Sequence, residues 1–210
     1  MTPSLFITGT DTNVGKTVVS SLLTAALDGI YWKPIQTGSS EGTDRCAVMR
    51  WAEIPEERTL PECYCFEPAV SPHHAAEMSG CRIDLASIRP PQGPLCGPLI
   101  AEGAGGVLVP LNEKELMIDL MRHLAFPVVV ATRTTLGTIN HTLLTLSALR
   151  AADVDLIGVV LVGEENAQNR HAIERYGDVK VIGWVPPLAV LDRRSLLEVF
   201  ERHFTRETFQ

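Results

Sequence analysis

The sequence predicts an α/β protein built on a doubly wound, mostly parallel sheet with helices on both faces. Two observations lead there. Apolar runs alternate with helical patterns over most of the chain, as strands covered by helices require. A glycine-rich turn then follows the first apolar run directly and opens the first helix. The 210 residues suffice for one domain with a buried core and are short for two. No internal repeat or linker divides them, so 1–210 reads as a single domain. Hydrophobic residues at 45% and charged residues at 20% sit near the globular average, which argues against disorder.

Taken in order, Ser4–Thr8 reads as a buried first strand and Lys16–Leu27 as the helix after the glycine-rich turn. Asp28-Gly29 breaks that helix, and Ile30–Lys33 enters a second strand. Lys33 precedes Pro34, whose ring pushes it to extended geometry and ends the strand. Thr43 is placed to cap a helix over Asp44–Glu53. From Pro55 to Pro98 regularity fades into short pieces rich in Pro, Gly and Cys, including Arg89-Pro-Pro-Gln-Gly-Pro94. This stretch reads as a long surface connection, with a mobile or partner-facing loop as the alternative. Within it Ser71, before Pro72, is placed to cap a short helix. Alternation resumes with a strand Leu99–Glu102 and Gly103-Ala104-Gly105-Gly106, then a helix over Glu115–Leu124 and a buried strand Pro127–Ala131. Thr138–Arg150 carries Ile139, Leu143, Leu146 and Arg150 on one face with Leu149 beside them, an amphipathic helix. Asp155–Val162 and Val179–Trp184 are further strands around a helix near Asn166–Tyr176, and Ser195–His203 closes as a helix with Leu196, Leu197 and Phe200 inward.

Charge narrows the function. Lys plus Arg number 18 against 25 Asp plus Glu, a formal charge of −7. A protein that coats nucleic acid or anionic membrane needs a basic face, so neither partner is expected, although a locally basic phosphate pocket remains compatible. The apolar stretches Val128–Ala131 and Leu156–Val162 are too short to span a bilayer, and Met1–Gly9 lacks the basic start and long apolar core of a signal peptide. The expectation is a soluble, cytoplasmic protein. Five cysteines, Cys46, Cys63, Cys65, Cys81 and Cys96, read as free thiols in a reducing compartment. Cys63-Tyr64-Cys65 lacks the second pair that a zinc site needs.

The strongest local signal is Gly9-Thr10-Asp11-Thr12-Asn13-Val14-Gly15-Lys16-Thr17, set between the first strand and the first helix. That is the context of a phosphate loop and gives the fold its P-loop NTPase type. Gly15 lets the backbone approach a phosphate, and the helix N-terminus adds oriented N–H donors. Lys16 reaches the β- and γ-phosphates, and the Thr17 hydroxyl suits Mg2+. Five residues separate Gly9 from Gly15, so Thr10 stands at the usual first-glycine position. Mg2+ needs further hard oxygens, and two carboxylates are placed to supply them. Glu102 ends its strand at the same carboxyl edge of the sheet, and a carboxylate on a buried strand end needs a partner. Asp44 opens a helix after the second strand, where a simple dipole-favoured charge is the alternative.

With these residues in place, the run Gly-Thr-Asp-Thr-x-Val-Gly-Lys-Thr resembles the dethiobiotin synthetase family. Four further segments match in order: Lys33-Pro-Ile-Gln-Thr37-Gly38, Ser71-Pro-His73, Glu102-Gly-Ala-Gly-Gly106 and Leu136-Gly-Thr-Ile-Asn-His141. Together they cover most of the chain. The resemblance implies an ATP- and Mg2+-dependent enzyme that takes up CO2 (or bicarbonate) on 7,8-diaminononanoate as a carbamate. The γ-phosphate then activates the carbamate as a mixed anhydride, and the second amine closes a cyclic urea. It also implies roles for particular residues. Lys33 would be catalytic, holding the carbamate against the γ-phosphate, with Lys16 on the phosphate side. Asn13, Val14, Gly15, Lys16, Thr17 and Val18 would hold the nucleotide, with Asp44, Glu102, Gly103, Ala104 and Gly105 beside it. Thr17, Asp44 and Glu102 would ligate the metal. Pro186, Pro187 and Leu188 match the loop that covers the base through its backbone. Thr12 and Thr37 match contacts to the diamine or its carbamate. Gly137, Thr138, Ile139 and Asn140 open a helix whose N–H groups suit the substrate carboxylate, in a pocket completed across a homodimer interface. His73 and His141 lie in matching motifs and are read as structural more readily than chemical.

Two departures have consequences. Asn13 stands where some relatives carry Glu, which removes a charge near the nucleotide. Many relatives place an Asn near Val162 to read the adenine edge, and here no amide or carboxylate stands there, so weak base discrimination is expected. Two rival readings share the phosphate loop. An amidoligase of the cobyrinic acid a,c-diamide synthase type would need a glutamine-hydrolysing domain, for which 210 residues leave no room. A nucleotide-switch partner ATPase would carry an extra lysine early in the loop, where Thr10 to Asn13 provide none.

Overall fold

The computed structural model describes residues 3–91, 93 and 95–209, with Glu41 described by its backbone alone. Gln92 and Pro94 of the expected connection, and Met1 and Thr2 of the expected start, lie outside the described residues. Seven parallel strands form one sheet in the order β4-β2-β6-β1-β7-β8-β9. The strands are β1 (Leu5–Gly9), β2 (Ile30–Trp32), β4 (Thr59–Leu60), β6 (Leu99–Gly106), β7 (Val128–Arg133), β8 (Leu156–Val162) and β9 (Val181–Val185). A separate parallel pair joins β3 (Ile35–Thr37) to β5 (Tyr64–Phe66). The helices are α1 (Lys16–Ala26), α2 (Asp44–Ala52), α3 (Pro72–Met78), α4 (Met117–Leu124), α5 (Thr138–Ala151), α6 (Ala167–Gly177) and α7 (Arg193–His203).

Strand alternation divides the core between the two faces. Along β1, Leu5 and Ile7 turn toward α1 and α7 and pack with Val129, Val160, Leu196 and Phe200. Phe6 turns to the other face, with Leu99, Val130, Met117 and Leu149. Between α1, α2 and β2 a third cluster holds Tyr31, Ala25, Val48, Ala52 and Ile54. Full burial of each large apolar side chain contributes about 1.5–3 kcal/mol, which offsets the ordering of such short strands.

Most elements lie within two residues of expectation, and the exceptions are instructive. Residues 55–98 are not a plain surface connection. They supply β4 to the edge of the main sheet, β5 to the second sheet, and α3, and they bury Phe66, Ala75, Ile83, Leu85 and Ile88. The apolar residues there are spaced too irregularly for a periodic reading, because they are shared among two- and three-residue strands, a seven-residue helix and irregular backbone. Ser71 sits at the N-cap of α3 without a side-chain cap bond; Pro72 in the first turn fixes the helix start instead. Thr43 does cap α2, accepting from the Cys46 amide at 3.2 Å. The helix expected from Glu115 begins at Met117, since Leu111 and Asn112 draw the Glu115 carbonyl into a turn. On α5 the face toward the sheet is Thr138, Thr142, Thr145 and Leu149 with Leu146, while Arg150 is exposed and donates to the Gly177 carbonyl at 2.5 Å. β6 does not stop at Glu102 but runs to Gly106. Opposite β1 its register slips, from Ile7 beside Glu102 to Gly9 beside Gly106, so the glycine-rich segment bulges next to the phosphate loop. The five cysteines are free and exposed. Among the described residues no helix is long and apolar enough to cross a membrane.

The C-terminal layer rests on a close approach. Gly183 of β9 lies under the Phe204 ring, and an added Cβ there would land on the ring atoms. Gly183→Ala is therefore expected to destabilise the fold by about 1–3 kcal/mol, read as a lower midpoint in urea at unchanged slope.

Candidate active site

The site is assembled at the carboxyl edge of the sheet, where the chain leaves β1 at the point from which successive connections diverge to either side. Between β1 and α1 the loop Thr10–Gly15 turns through Asn13 at φ 57° and Gly15 at φ 95°. Val14 is buried and anchors the loop against the core, and Val18 is half-buried one turn into α1. Lys16 folds back so that its Nζ donates to the Asp11 carbonyl at 2.8 Å. Burial lowers its pKa to about 8, against the pull of nearby carboxylates, Glu102 foremost. The threonine at the usual glycine position has a structural role. Thr10 shares a hydrogen bond with Thr132 on β7 at 3.1 Å, and Thr132 also meets Thr138 at 2.9 Å and Thr142 at 3.0 Å. One buried hydroxyl thus ties the phosphate loop to the first turns of α5.

Beside the loop, Lys33 stands one residue beyond β2 with only 5% of its surface exposed. Its Nζ donates to Glu102 Oε1 at 3.0 Å and to the Asp44 carboxylate in the first turn of α2. Burial works against this charge, but the two carboxylates outweigh it and raise the pKa above the ordinary lysine value. Thr17 donates to the same Glu102 Oε1 at 3.0 Å. The sequence-derived set Lys33, Asp44, Glu102 and Thr17 therefore converges on one cluster. Glu102 enters it from mid-strand, held by the register that lays β2 beside β6.

Thr37 ends β3 and is half-buried, while Thr12 is exposed on the loop. Gly103, Ala104 and Gly105 lie in the bulge beside the loop, with Gly105 at φ 68°. Pro186, Pro187 and Leu188 leave β9 at the same edge, and the Gly163 amide donates to the Val185 carbonyl at 3.0 Å. Val162, where no base-reading side chain stands, closes against Gly15; a Cβ on that glycine would meet Val162 at 2.7 Å. Gly137, at φ 95°, opens α5. The Thr138 amide is engaged by the Thr135 carbonyl, and the amides of Ile139 and the exposed Asn140 follow it in the first turn. A largely apolar cavity of about 330 Å³ runs from Thr10 and Asp11 past Gly106 and Leu108 to His141, Leu144 and Thr145. His141 lines this cavity and His73 does not, though both are exposed; the His73 amide donates to the Pro110 carbonyl at 3.2 Å.

Sequence reasoning missed three supports. The Tyr31 hydroxyl donates to Glu102 Oε2 at 3.0 Å. The Gln36 side chain accepts from the Asp44 amide at 3.1 Å and donates to the Thr37 carbonyl at 2.7 Å, tying α2 to β3. Arg133 pairs with Asp11 at 3.1 Å on the loop. The available signal was a phenol and an amide inside apolar strands, where a buried polar group needs a partner.

Fold and loop together define a P-loop nucleotide-binding protein. The chain superposes on a nucleotide-binding protein in complex with ADP from Archaeoglobus fulgidus, with a TM-score of 0.55 and 11% identity over 99% of this chain and 94% of that one. It also matches the septum site-determining protein MinD complexed with Mg-ADP from Pyrococcus horikoshii, with a TM-score of 0.51 and 16% identity over 94% and 86%. At these identities the likeness is one of fold. Residues 3–195 match the family model described as AAA domain. Over 204 residues the chain is 47% identical to the ATP-dependent dethiobiotin synthetase BioD of Rhodopseudomonas palustris, covering 97% of this chain and 95% of that protein. It is 52% identical over 192 residues to the protein of the same name from Paramagnetospirillum magneticum, covering 91% and 92%. The chain belongs to the family of ATP-dependent dethiobiotin synthetases, and is by class an ATP-dependent ligase.

Only the charged form of Lys16 attracts phosphate, and its lowered pKa places the loss of charge near neutrality. ATP affinity is expected to weaken as pH rises above about 8, toward roughly tenfold per unit. Calorimetric titration between about pH 7 and pH 9 reads this. Lys16→Arg, which stays charged, should flatten the profile.

Proposed function

We propose that this protein closes 7,8-diaminononanoate into dethiobiotin, using CO2 and ATP and releasing ADP and phosphate. The observation that carries the reading is the Lys33 ammonium, buried between Asp44 and Glu102 and joined through Glu102 to Thr17 of the phosphate loop. An anionic carbamate and a triphosphate repel each other, so a fixed cation between them lowers the barrier to their meeting.

One substrate amine adds to CO2 and sheds a proton, giving a carbamate. Lys33 holds this carboxylate, with the Thr12 and Thr37 hydroxyls as further donors. A carbamate oxygen attacks the γ-phosphorus and ADP leaves. The second amine then attacks the carbonyl carbon of the carbamic-phosphoric anhydride, and phosphate leaves as the ring closes. Lys16 and the amides after Asn13 neutralise the phosphates throughout. Thr17 Oγ1, Asp44 and Glu102 are hard oxygen donors joined in one cluster, Thr17 through Glu102 and the two carboxylates through Lys33, and such donors suit Mg2+. When bound, the metal would offset charge on the β- and γ-phosphates. The cavity from Asp11 to Leu144, at about 330 Å³ and largely apolar in lining, has room for an aliphatic chain. The amides of Ile139 and Asn140 supply the carboxylate end. Leu108, Leu136 and Leu144 are exposed around this region by 59%, 103% and 63%, which supports a homodimer that covers them and shares the pocket. The whole chain, 1–210, acts as one domain in the cytoplasm, with no nucleic acid or membrane partner.

Phosphate release from ATP, Mg2+ and bicarbonate is expected to depend on the diamine and to yield a cyclic urea by mass spectrometry. Release that ignores the diamine would point to a switch ATPase. Lys33→Ala should lower ring closure by roughly a hundredfold or more while MgATP binding stays within about threefold; Lys16→Ala should weaken both. Because Pro186–Leu188 cover the base by backbone and Val162 offers no polar edge, ATP, GTP and CTP should bind within about tenfold of one another by calorimetry.

A further inference from the structure

Glu102 carries the cluster, and its two oxygens are treated differently. Oε1 receives both Lys33 and Thr17. Among the described residues Tyr31 is the sole donor to Oε2, at 3.0 Å. Tyr31 is 0% exposed, packed between α1 and α2 with Ala25, Val48 and Ala52. A fully buried strand position beside aliphatic side chains is served well by phenylalanine. A phenol there costs desolvation unless its hydroxyl is paired, and the pairing it has is with the buried carboxylate. The backbone accounts for the contact. Tyr31 lies beside Ile100 and Trp32 beside Ala101, so Lys33 comes opposite Glu102 on β6, and Tyr31, two residues earlier on the same face of the β2 line, reaches it diagonally.

We propose that Tyr31 is a positioning residue: by binding Oε2 it fixes the Glu102 carboxylate so that Oε1 is the oxygen presented to Thr17, Lys33 and the metal–nucleotide. Without the hydroxyl, Oε2 becomes a buried charged oxygen lacking a donor, and the carboxylate turns to share the donors on its other side. The role is exerted wholly through Glu102, and it rests on the reading above that Thr17, Asp44 and Glu102 hold Mg2+.

The test is calorimetry in the absence of diamine, so it does not depend on the ring-closing reaction. Binding of the β,γ-imido analogue of ATP is measured with EDTA and with Mg2+, and the ratio of the two affinities is the metal coupling. In Tyr31→Phe the metal-free affinity should stay within about twofold, while the coupling should fall about tenfold, the scale of one hydrogen bond to a charged group. In a Glu102→Gln background, Tyr31→Phe should change the coupling by less than about twofold, because the group it acts through is already altered. The idea is overturned if Tyr31→Phe keeps the coupling. It is equally overturned if the effect persists undiminished beside Glu102→Gln, if the metal-free affinity falls as much as the coupled one, or if Mg2+ gives the unaltered protein no coupling. Diamine-dependent ring closure, assayed separately, decides the functional reading whichever of these is found.

Discussion

A lysine ammonium removed from water is stable only beside compensating charge, and Lys33 obtains it from two separate elements. Glu102 comes from the centre of a strand and Asp44 from the start of a helix. Isolated burial of Lys33 or Glu102 would be strongly unfavourable, while Asp44 is only half-buried. Each therefore requires the others, and requires the register of β2 against β6 that brings them together. Thr17 joins the cluster to the phosphate loop, so the loop and the ionic cluster share Glu102. One ammonium between two carboxylates leaves one carboxylate charge over, and the Lys16 ammonium of the loop faces it, with Glu102 its strongest attraction.

The loop itself depends on the same strand edge. The Thr10 amide donates to the Ala131 carbonyl at 3.1 Å, and its side chain joins the Thr132 hydroxyl shared with α5. A threonine hydroxyl has one proton and two lone pairs, so contact with Thr10, Thr138 and Thr142 uses its capacity fully. The loop and the helix proposed to hold the substrate carboxylate are thus fastened to one atom of β7. Such rigidity is what the proposed chemistry, with two bound anions to align, would require.

Much of this was legible in the sequence, and the reasons are local. Gly9 to Thr17 carries its meaning in chain order, because a phosphate loop is one turn and one helix start. The strands of the main sheet other than β4 were legible because each is a compact apolar run, whereas β3, the short Ile35-Gln36-Thr37 past Pro34, was not. Residues 55–98 were not, since β4 and β5 span two and three residues and exist only through their partners β2 and β3. The extension of β6 past Glu102 was hidden by three glycines, which weaken strand propensity in general yet here form the bulge beside β1. On α5 the apolar Ile139, Leu143, Leu146 and Leu149 were legible and pack against the core, but Thr138 and Thr142 were missed as inward residues because threonines are polar by type. They are buried because Thr132 and the Arg133 carbonyl await their hydroxyls.

By itself the sequence determined the class of fold, the phosphate loop and the family, because these reside in contiguous motifs and periodicities, and it offered Lys33, Asp44 and Glu102 as candidates. The tertiary structure alone decided that Lys33 lies between two carboxylates, that Tyr31 holds the far oxygen of Glu102, and that Gln36 steadies Asp44. Those contacts join residues up to 71 positions apart. They arise from strand register and helix placement, which pairwise packing of the whole sheet sets and no local pattern encodes.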